Sequence, residues 1–230
     1  MTDQKDTQNR LFDEWPDRYD EWFQTPVGTL VKRYESALLL DLLQPRPGEM
    51  ILDVGCGTGV FTRDILSFGP RVVGLEISCP MLMRAGQKAG GYLFEPIAGN
   101  MMSLPFADEV FDKTVSMTAL EFVEDARGAV REMFRVTQSG GTIVVATLNS
   151  LSPWAVRRKK KAEKGHHLFT KMIFRSPDEM ANLAPVNGVM KTAIHFQKAE
   201  DPDRIPGIEK DGQTNNLNTG AFLAVCWVKP

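Results

Sequence analysis

Between residues 48 and 149, short apolar runs alternate with stretches whose apolar positions recur every three or four residues. The runs predict buried strands and the stretches amphipathic helices. Strands are expected at Met50–Val54, 71–75, 92–98, Phe111–Met117 and 142–148, the last released by Gly140-Gly141 and rich in β-branched residues. Helices are expected at 60–68, stopped by Gly69-Pro70, at 81–89, and at 126–137, where Ala129, Val130, Met133, Phe134 and Val136 form one stripe. Strand and helix in regular alternation imply right-handed crossovers and a mostly parallel sheet.

The flanks read differently. Residues 1–10 are polar and predict a frayed tail. Phe12, Trp15, Tyr19, Trp22 and Phe23 then recur at helical spacing over 11–23, with Pro16 early. Thr25 and Pro26 suit the start of a second helix, which runs to Leu43 and ends before Pro45 and Pro47-Gly48. Beyond Asn149 the chain turns polar and basic, and the run from Arg157 through Lys161, with Lys164 nearby, reads as a solvated loop. Ser176-Pro177-Asp178-Glu179 is a capped helix start with an acidic first turn. Strands at 192–196 and 221–228, joined by a polar loop over 201–220, suggest an antiparallel pair at one side of the sheet. The expected architecture is α/β and Rossmann-like: a mostly parallel seven-stranded sheet with a terminal antiparallel strand and helices on both faces. One domain is expected over 1–230, with a helical cap (11–45), a cofactor-binding core (48–149) and a substrate-side segment (150–230).

Composition narrows the class. With 230 residues, 43% hydrophobic, 24% charged and a net charge of −2, the chain is neither collagen-like nor wholly disordered. Near-balanced charge argues against nucleic acid as the main partner. No apolar run is long enough to span a bilayer. Cys56, Cys79 and Cys226 are widely spaced, which points to a reducing compartment, the cytoplasm, and to no structural zinc.

The sharpest chemical signal is Asp53-Val54-Gly55-Cys56-Gly57-Thr58-Gly59, where a predicted strand turns into a helix. Glycines permit a sharp turn and close approach of a ligand to the main chain, and the first strand's carboxyl edge is where nucleotides bind open α/β sheets. A dinucleotide fingerprint needs Gly or Ala where Val60 stands. Asp53 disfavours a pyrophosphate, and no Gly-Lys-Ser/Thr follows. A cationic, phosphate-free nucleoside fits better, namely S-adenosylmethionine. Glu76, at the end of the second strand, can accept from both ribose hydroxyls. Asn100 can read an adenine amino group through its side-chain oxygen, and the Met101 backbone can reach the ring edge.

These residues, with Phe111-Asp112 and Arg135-Val136 ahead of Gly140-Gly141, resemble the class I S-adenosylmethionine-dependent methyltransferases. Their type 11 group, which includes enzymes of ubiquinone and menaquinone synthesis, is the most similar. The resemblance covers residues 11–152 well and is thin beyond 175. It implies that Asp53, Gly55, Gly57 and Gly59 line the methionine half of the cofactor, with Cys56 and Thr58 in the same turn. It implies that Glu76 holds the ribose, Ile77 packs on adenine, Met101 flanks it, and Met117 and Thr118 border the methionine tail. Asn100 stands where many relatives have Asp. Glu121 and Phe122 stand where many have a His pair, so no base can be carried over. Tyr19 and Trp22 match a Tyr-x-x-Trp that closes over the cofactor.

Bland readings compete. Cys56 reads better as a packing residue than as a nucleophile, Met101 and Met102 can be core, and His195 is structural. His166-His167 lacks partners for a metal site. Because the sulfonium is already activated, alignment and water exclusion do most of the work, and a base is needed only for a protic acceptor. The leading expectation is methyl transfer to a small-molecule O, C or N nucleophile. The acceptor would be walled by Tyr19, Trp22, residues 148–154 and residues 169–175. An RNA methyltransferase using the basic 157–164 segment, a non-catalytic S-adenosylmethionine-binding scaffold and a nicotinamide dehydrogenase are the alternatives.

Overall fold

The computed structural model describes residues 11–230; the polar tail expected at 1–10 lies outside the described residues. Its helices are α1 (Pro16–Gln24), α2 (Pro26–Leu43), α3 (Thr62–Leu66), α4 (Cys79–Lys88), α5 (Ala126–Val136), α6 (Pro153–Glu163), α7 (Pro177–Ala181) and α8 (Ile205–Thr214). Its strands are β1 (Met50–Val54), β2 (Arg71–Glu76), β3 (Phe94–Ala98), β4 (Phe111–Met117), β5 (Thr137–Leu148), β6 (Val189–Ala193) and β7 (Phe222–Val228). They form one sheet in the order β3-β2-β1-β4-β5-β7-β6. The strands β1 to β5 pair in parallel, and β7 runs antiparallel between β5 and β6. The order reverses between β1 and β4, and ligands of open α/β sheets bind beside the carboxyl ends at such a switch point.

Alternation along each strand divides the core between the two faces. Ile51, Val144 and Phe222 join a cluster with Leu39, Phe61 and Trp154. Their neighbours Leu52, Val145 and Leu223 join the opposite cluster with Val130, Met133 and Trp227. Period-two burial on both faces is what a sheet covered by helices requires. The caps follow the predicted chemistry. Thr25 Oγ1 accepts from Gly28 N at 3.0 Å, and Ser176 with Glu179 forms a reciprocal capping box.

Four segments depart from expectation. The basic run is helical, because Ser152 Oγ accepts from Ala155 N at 3.1 Å, Pro153 occupies the first turn and Trp154 and Ala155 are buried. The polar 201–220 region contains α8, held by its buried Ile205 and Glu209. The fifth strand starts at Thr137 rather than after the glycines: Phe111 pairs with Thr137 and the register then shifts before Lys113. Gly140 and Gly141 thus lie inside the strand at an irregularity, Gly140 with φ +78°. The sixth strand ends at Ala193, so His195 lies just past it.

Candidate active site

The glycine loop leaves β1 and folds onto the end of β2. Gly55 N and Cys56 N both donate to Leu75 O, at 2.7 and 3.1 Å, and Gly57 N donates to Glu76 Oε2 at 3.0 Å. The other Glu76 oxygen accepts from Ile77 N at 2.8 Å and Ser78 N at 3.0 Å. A carboxylate taking three backbone N–H groups has one orientation. Here that orientation faces the glycine turn and still leaves lone pairs for a ligand. Burial raises the Glu76 pKa while the three N–H donors oppose the rise.

Two of the loop glycines are required by their surroundings. Gly55 has φ +78°, and a Cβ there would lie 2.5 Å from Ala119 Cβ. Gly59 has φ +76°, and a Cβ would lie 3.0 Å from Ala85 Cα in α4. The loop is therefore packed against both the turn after β4 and the helix after β2. Gly57 has room around it. Asp53 lies beneath the loop, fully buried. Its Oδ2 accepts from Thr62 Oγ1 at 2.6 Å, while Oδ1 is buried without a partner among the described residues. Burial, and secondarily the Glu76 charge, push the Asp53 pKa up to about 7.

Thr58 ties this loop to α1. Its hydroxyl donates to Asp20 Oδ1 at 2.6 Å and accepts from Lys88 Nζ at 2.8 Å, and Lys88 also pairs with Asp20. Arg84 bonds Asp17 at 2.5 Å, and Ser78 Oγ donates to Asp13 Oδ1 at 2.7 Å. Apolar contacts complete the closure, because Phe23 meets both Tyr19 and Phe61 edge-on. The N-terminal segment is thus fastened across the glycine loop by three acidic side chains. Asp20 had only its place beside Tyr19 to mark it in the sequence.

The other expected site residues sort by position. Ile77 is half-buried at the entry to α4. Met101 approaches the loop opposite α4, its Cε 3.4 Å from where a Gly55 Cβ would stand. Exposed Asn100 uses its side-chain oxygen locally, accepting from Met102 N at 2.9 Å, so part of its expected acceptor capacity is spent on its own turn. Cys56 is buried with Leu82 and Ala85 against Phe94, and burial raises its thiol pKa. Its side chain packs, and only its main chain belongs to the loop. Met117 is buried in the core, and Thr118 beyond it has φ +46°.

Next to this loop stands a second group of side chains. Tyr19 from α1 lies beside the Thr118 hydroxyl and is raised well above the usual phenol range by burial and then by the Glu35 charge. Glu35 from α2 is buried, and its pKa is pushed up to about 8 mainly by desolvation, with Arg158 opposing. Glu121, in the short 3-10 turn after β4, is fully buried and pushed up to about 7 by desolvation. The sequence gives no functional reading of Glu35, and Arg158 enters it only as part of the basic run. A readable signal existed for Glu35, an acid in the buried stripe between Val31 and Leu39.

Buried acids make stability depend on pH. Asp53 and Glu35 hold protons more tightly folded than unfolded. Their destabilising contribution is absent below about pH 4, where both states are protonated, grows from there up to about pH 7 to 8, and is constant above, where both are ionised. Thermal melts should show Tm falling between about pH 4.5 and 8 and levelling above. Glu35→Gln should flatten that fall, and an unchanged slope would refute the assignment.

Residues 52–145 match the family model described as a methyltransferase domain. Demethylmenaquinone methyltransferase of Beutenbergia cavernae is 36% identical over 146 residues, which cover 63% of this chain and 59% of that protein. The match thus spans about three fifths of that relative's length. Malonyl-[acyl-carrier protein] O-methyltransferase of Serratia marcescens is 27% identical over 222 residues, covering 85% and 84% of the two chains. A solved structure from Thermotoga maritima, described as a SAM-dependent methyltransferase and possible histamine N-methyltransferase, superposes with a TM-score of 0.70 at 22% identity. It covers 97% of this chain and 100% of its own, which shows a shared fold.

Proposed function

We propose, from the premise that the chain belongs to the class I S-adenosylmethionine-dependent methyltransferases of the type 11 group, that it methylates a small-molecule acceptor. The observation that carries this reading is the Glu76 carboxylate, fixed by Gly57, Ile77 and Ser78 N–H groups toward the glycine turn. Bound S-adenosylmethionine supplies an electrophilic methyl group on a sulfonium. Glu76 would accept from the ribose hydroxyls, and Gly55, Gly57 and Gly59 would let the methionine portion lie against bare main chain. Thr58 and the Cys56 main chain stand in the same turn, with Asp53 beneath adding negative charge under a cationic ligand. Ile77, Asn100 and Met101 would flank the base, and Met117 with Thr118 the amino-acid end. Tyr19 and the rest of α1, held down by Asp20, would exclude water.

A small acceptor is favoured over RNA by the basic segment itself. It forms α6, and Arg158 turns inward over the Trp154 ring, 5.3 Å from its centroid, rather than joining an outward phosphate-binding face. Among the described residues no helix is long and apolar enough to cross a membrane. A reducing compartment, the cytoplasm, suits the free thiols of Cys56, Cys79 and Cys226.

Methyl transfer from labelled S-adenosylmethionine, with release of S-adenosylhomocysteine, should be seen with members of a panel of quinols, phenols, carboxylates and amines. Label transferred only to RNA, in a salt-sensitive manner, would overturn the small-molecule assignment. Cofactor binding without turnover on any acceptor would favour the scaffold reading.

A further inference from the structure

Glu35, Glu121 and Arg158, with Tyr19 beside them, make up an ionisable cluster in which only Tyr19 has a part in closing over the cofactor. Glu121 Oε1 accepts from Leu148 N at 2.7 Å, while its buried Oε2 has no partner in hydrogen-bond geometry, the Thr147 hydroxyl standing near the carboxylate without closing a bond. Arg158 Nη1 is likewise buried without a partner. The Arg158 guanidinium feels the charges of both Glu35 and Glu121, and Tyr19 feels the same two carboxylates. Yet among the described residues no ion pair within 4.0 Å joins Arg158 to either acid. A buried polar group left unpaired costs about 1–3 kcal/mol, more when charged. An acceptor atom and a cationic donor that are both buried without partners, and whose groups feel each other's charge without pairing, fit a third molecule that satisfies both.

The position is right for chemistry. Ala119, against which Gly55 packs, is two residues ahead of Glu121. The Glu121 turn is clamped from outside: Arg175 donates to Leu120 O at 2.7 Å and to Val123 O at 2.6 Å, and Ile173 N donates to Glu121 O at 2.8 Å. Such clamping holds a reacting group in one orientation.

We infer that this cluster forms the acceptor site, in which Glu121 takes the proton of an O–H nucleophile and Arg158 binds a second oxygen of the same molecule. The acceptor class is therefore a hydroxylated carboxylate or carbonyl compound. An ammonium would meet a like charge at Arg158. This inference rests on the methyl-transfer reading. In the step, the acceptor oxygen forms a bond to the methyl carbon while the carbon–sulfur bond breaks with its electron pair left on sulfur. The O–H proton passes to Glu121 Oε2, and a neutral thioether and a methyl ether or ester result. Around Glu121 stand Tyr19 from α1, Glu35 from α2, Thr147 from β5, Arg158 from α6 and Arg175 ahead of α7. Burial holds Glu121 near pH 7, where it can act as a base, whereas Glu35 stays protonated to about pH 8 and leaves the Arg158 charge to the acceptor.

The test begins with protein saturated with S-adenosylhomocysteine, whose binding is measured first. Failure at that stage overturns the methyl-transfer reading itself. Calorimetry then uses 2-hydroxybenzoate, 4-hydroxybenzoate, 3,4-dihydroxybenzoate and mandelate as probes, with benzylamine as the control. At least one hydroxy acid should bind and benzylamine should not, and Arg158→Met should weaken the hydroxy acid at least ~10-fold with S-adenosylhomocysteine affinity unchanged. With the bound probe as acceptor, kcat should rise to a plateau near pH 7. Glu121→Gln should lower kcat about 10²–10⁴-fold with little change in probe affinity. Binding by none of the hydroxy acids, binding of benzylamine, or wild-type turnover in Glu121→Gln would each overturn the assignment. Should Glu121→Gln not fold, the wild-type pH profile and Arg158→Met decide it.

Discussion

Glu76→Ala is expected to weaken S-adenosylhomocysteine binding by about 10²–10³-fold. Hydrogen bonds to a charged acceptor contribute roughly 1.5–3 kcal/mol each, and two ribose hydroxyls would lose theirs. The truncation also strips the acceptor from Gly57, Ile77 and Ser78 N–H groups, so the glycine turn itself loosens. Glu76→Gln should fall between the two, because it retains one acceptor oxygen but places a donor beside N–H groups. Titration calorimetry with circular dichroism as a folding control reads both. Affinity equal to wild type in a folded Glu76→Ala protein would remove Glu76 from the ribose role.

The second large effect is expected at Gly55. Gly55→Ala must place a Cβ 2.5 Å from Ala119 Cβ and keep an L-residue at φ +78°. The left-handed backbone alone costs about 1–2 kcal/mol, and the steric contact forces the loop away from the turn after β4. A loss of about 2–4 kcal/mol should appear as a Tm lowered by about 5–15 °C. Cofactor affinity should fall more than ~10-fold, since the displaced loop is the proposed binding surface. Gly55→Ala combined with Ala119→Gly should recover part of both losses, because it removes the contact and leaves the backbone cost. A double variant no better than the single one would mean that backbone conformation, not the approach to Ala119, makes glycine necessary.

The sheet was legible because its strands are buried on both faces. Met50–Val54 and Phe111–Met117 stand where their apolar runs predicted. The two helices that composition hides share a cause: tertiary contacts outweigh it. The basic run is helical because Ser152 caps it and Trp154 anchors it through its Nε1 donation to Phe196 O at 2.6 Å. Likewise α8 exists because Glu209 accepts from Ile194 N at 3.1 Å and His195 N at 2.8 Å, pairings 14 and 15 residues away that no local pattern announces. Gly140-Gly141 predicts a strand boundary, whereas the chain uses the pair within a strand.

At the site, the glycine loop and Glu76 were readable because each residue is demanded by local backbone chemistry. The acceptor side was not. Glu35, Glu121 and Arg158 come from three elements more than 30 residues apart, and they become a group only when α2, the turn after β4 and α6 converge. Asp20 belongs with them, since its partners Thr58, Arg84 and Lys88 lie on the far side of the crevice.

The most direct measurement is a crystal structure of the chain grown with S-adenosylhomocysteine. The account predicts the ribose hydroxyls within hydrogen-bonding distance of the Glu76 carboxylate and the homocysteine portion along Gly55, Gly57 and Gly59, with its sulfur turned toward Glu121. Density for the ligand elsewhere, or none in crystals saturated with it, would contradict that placement.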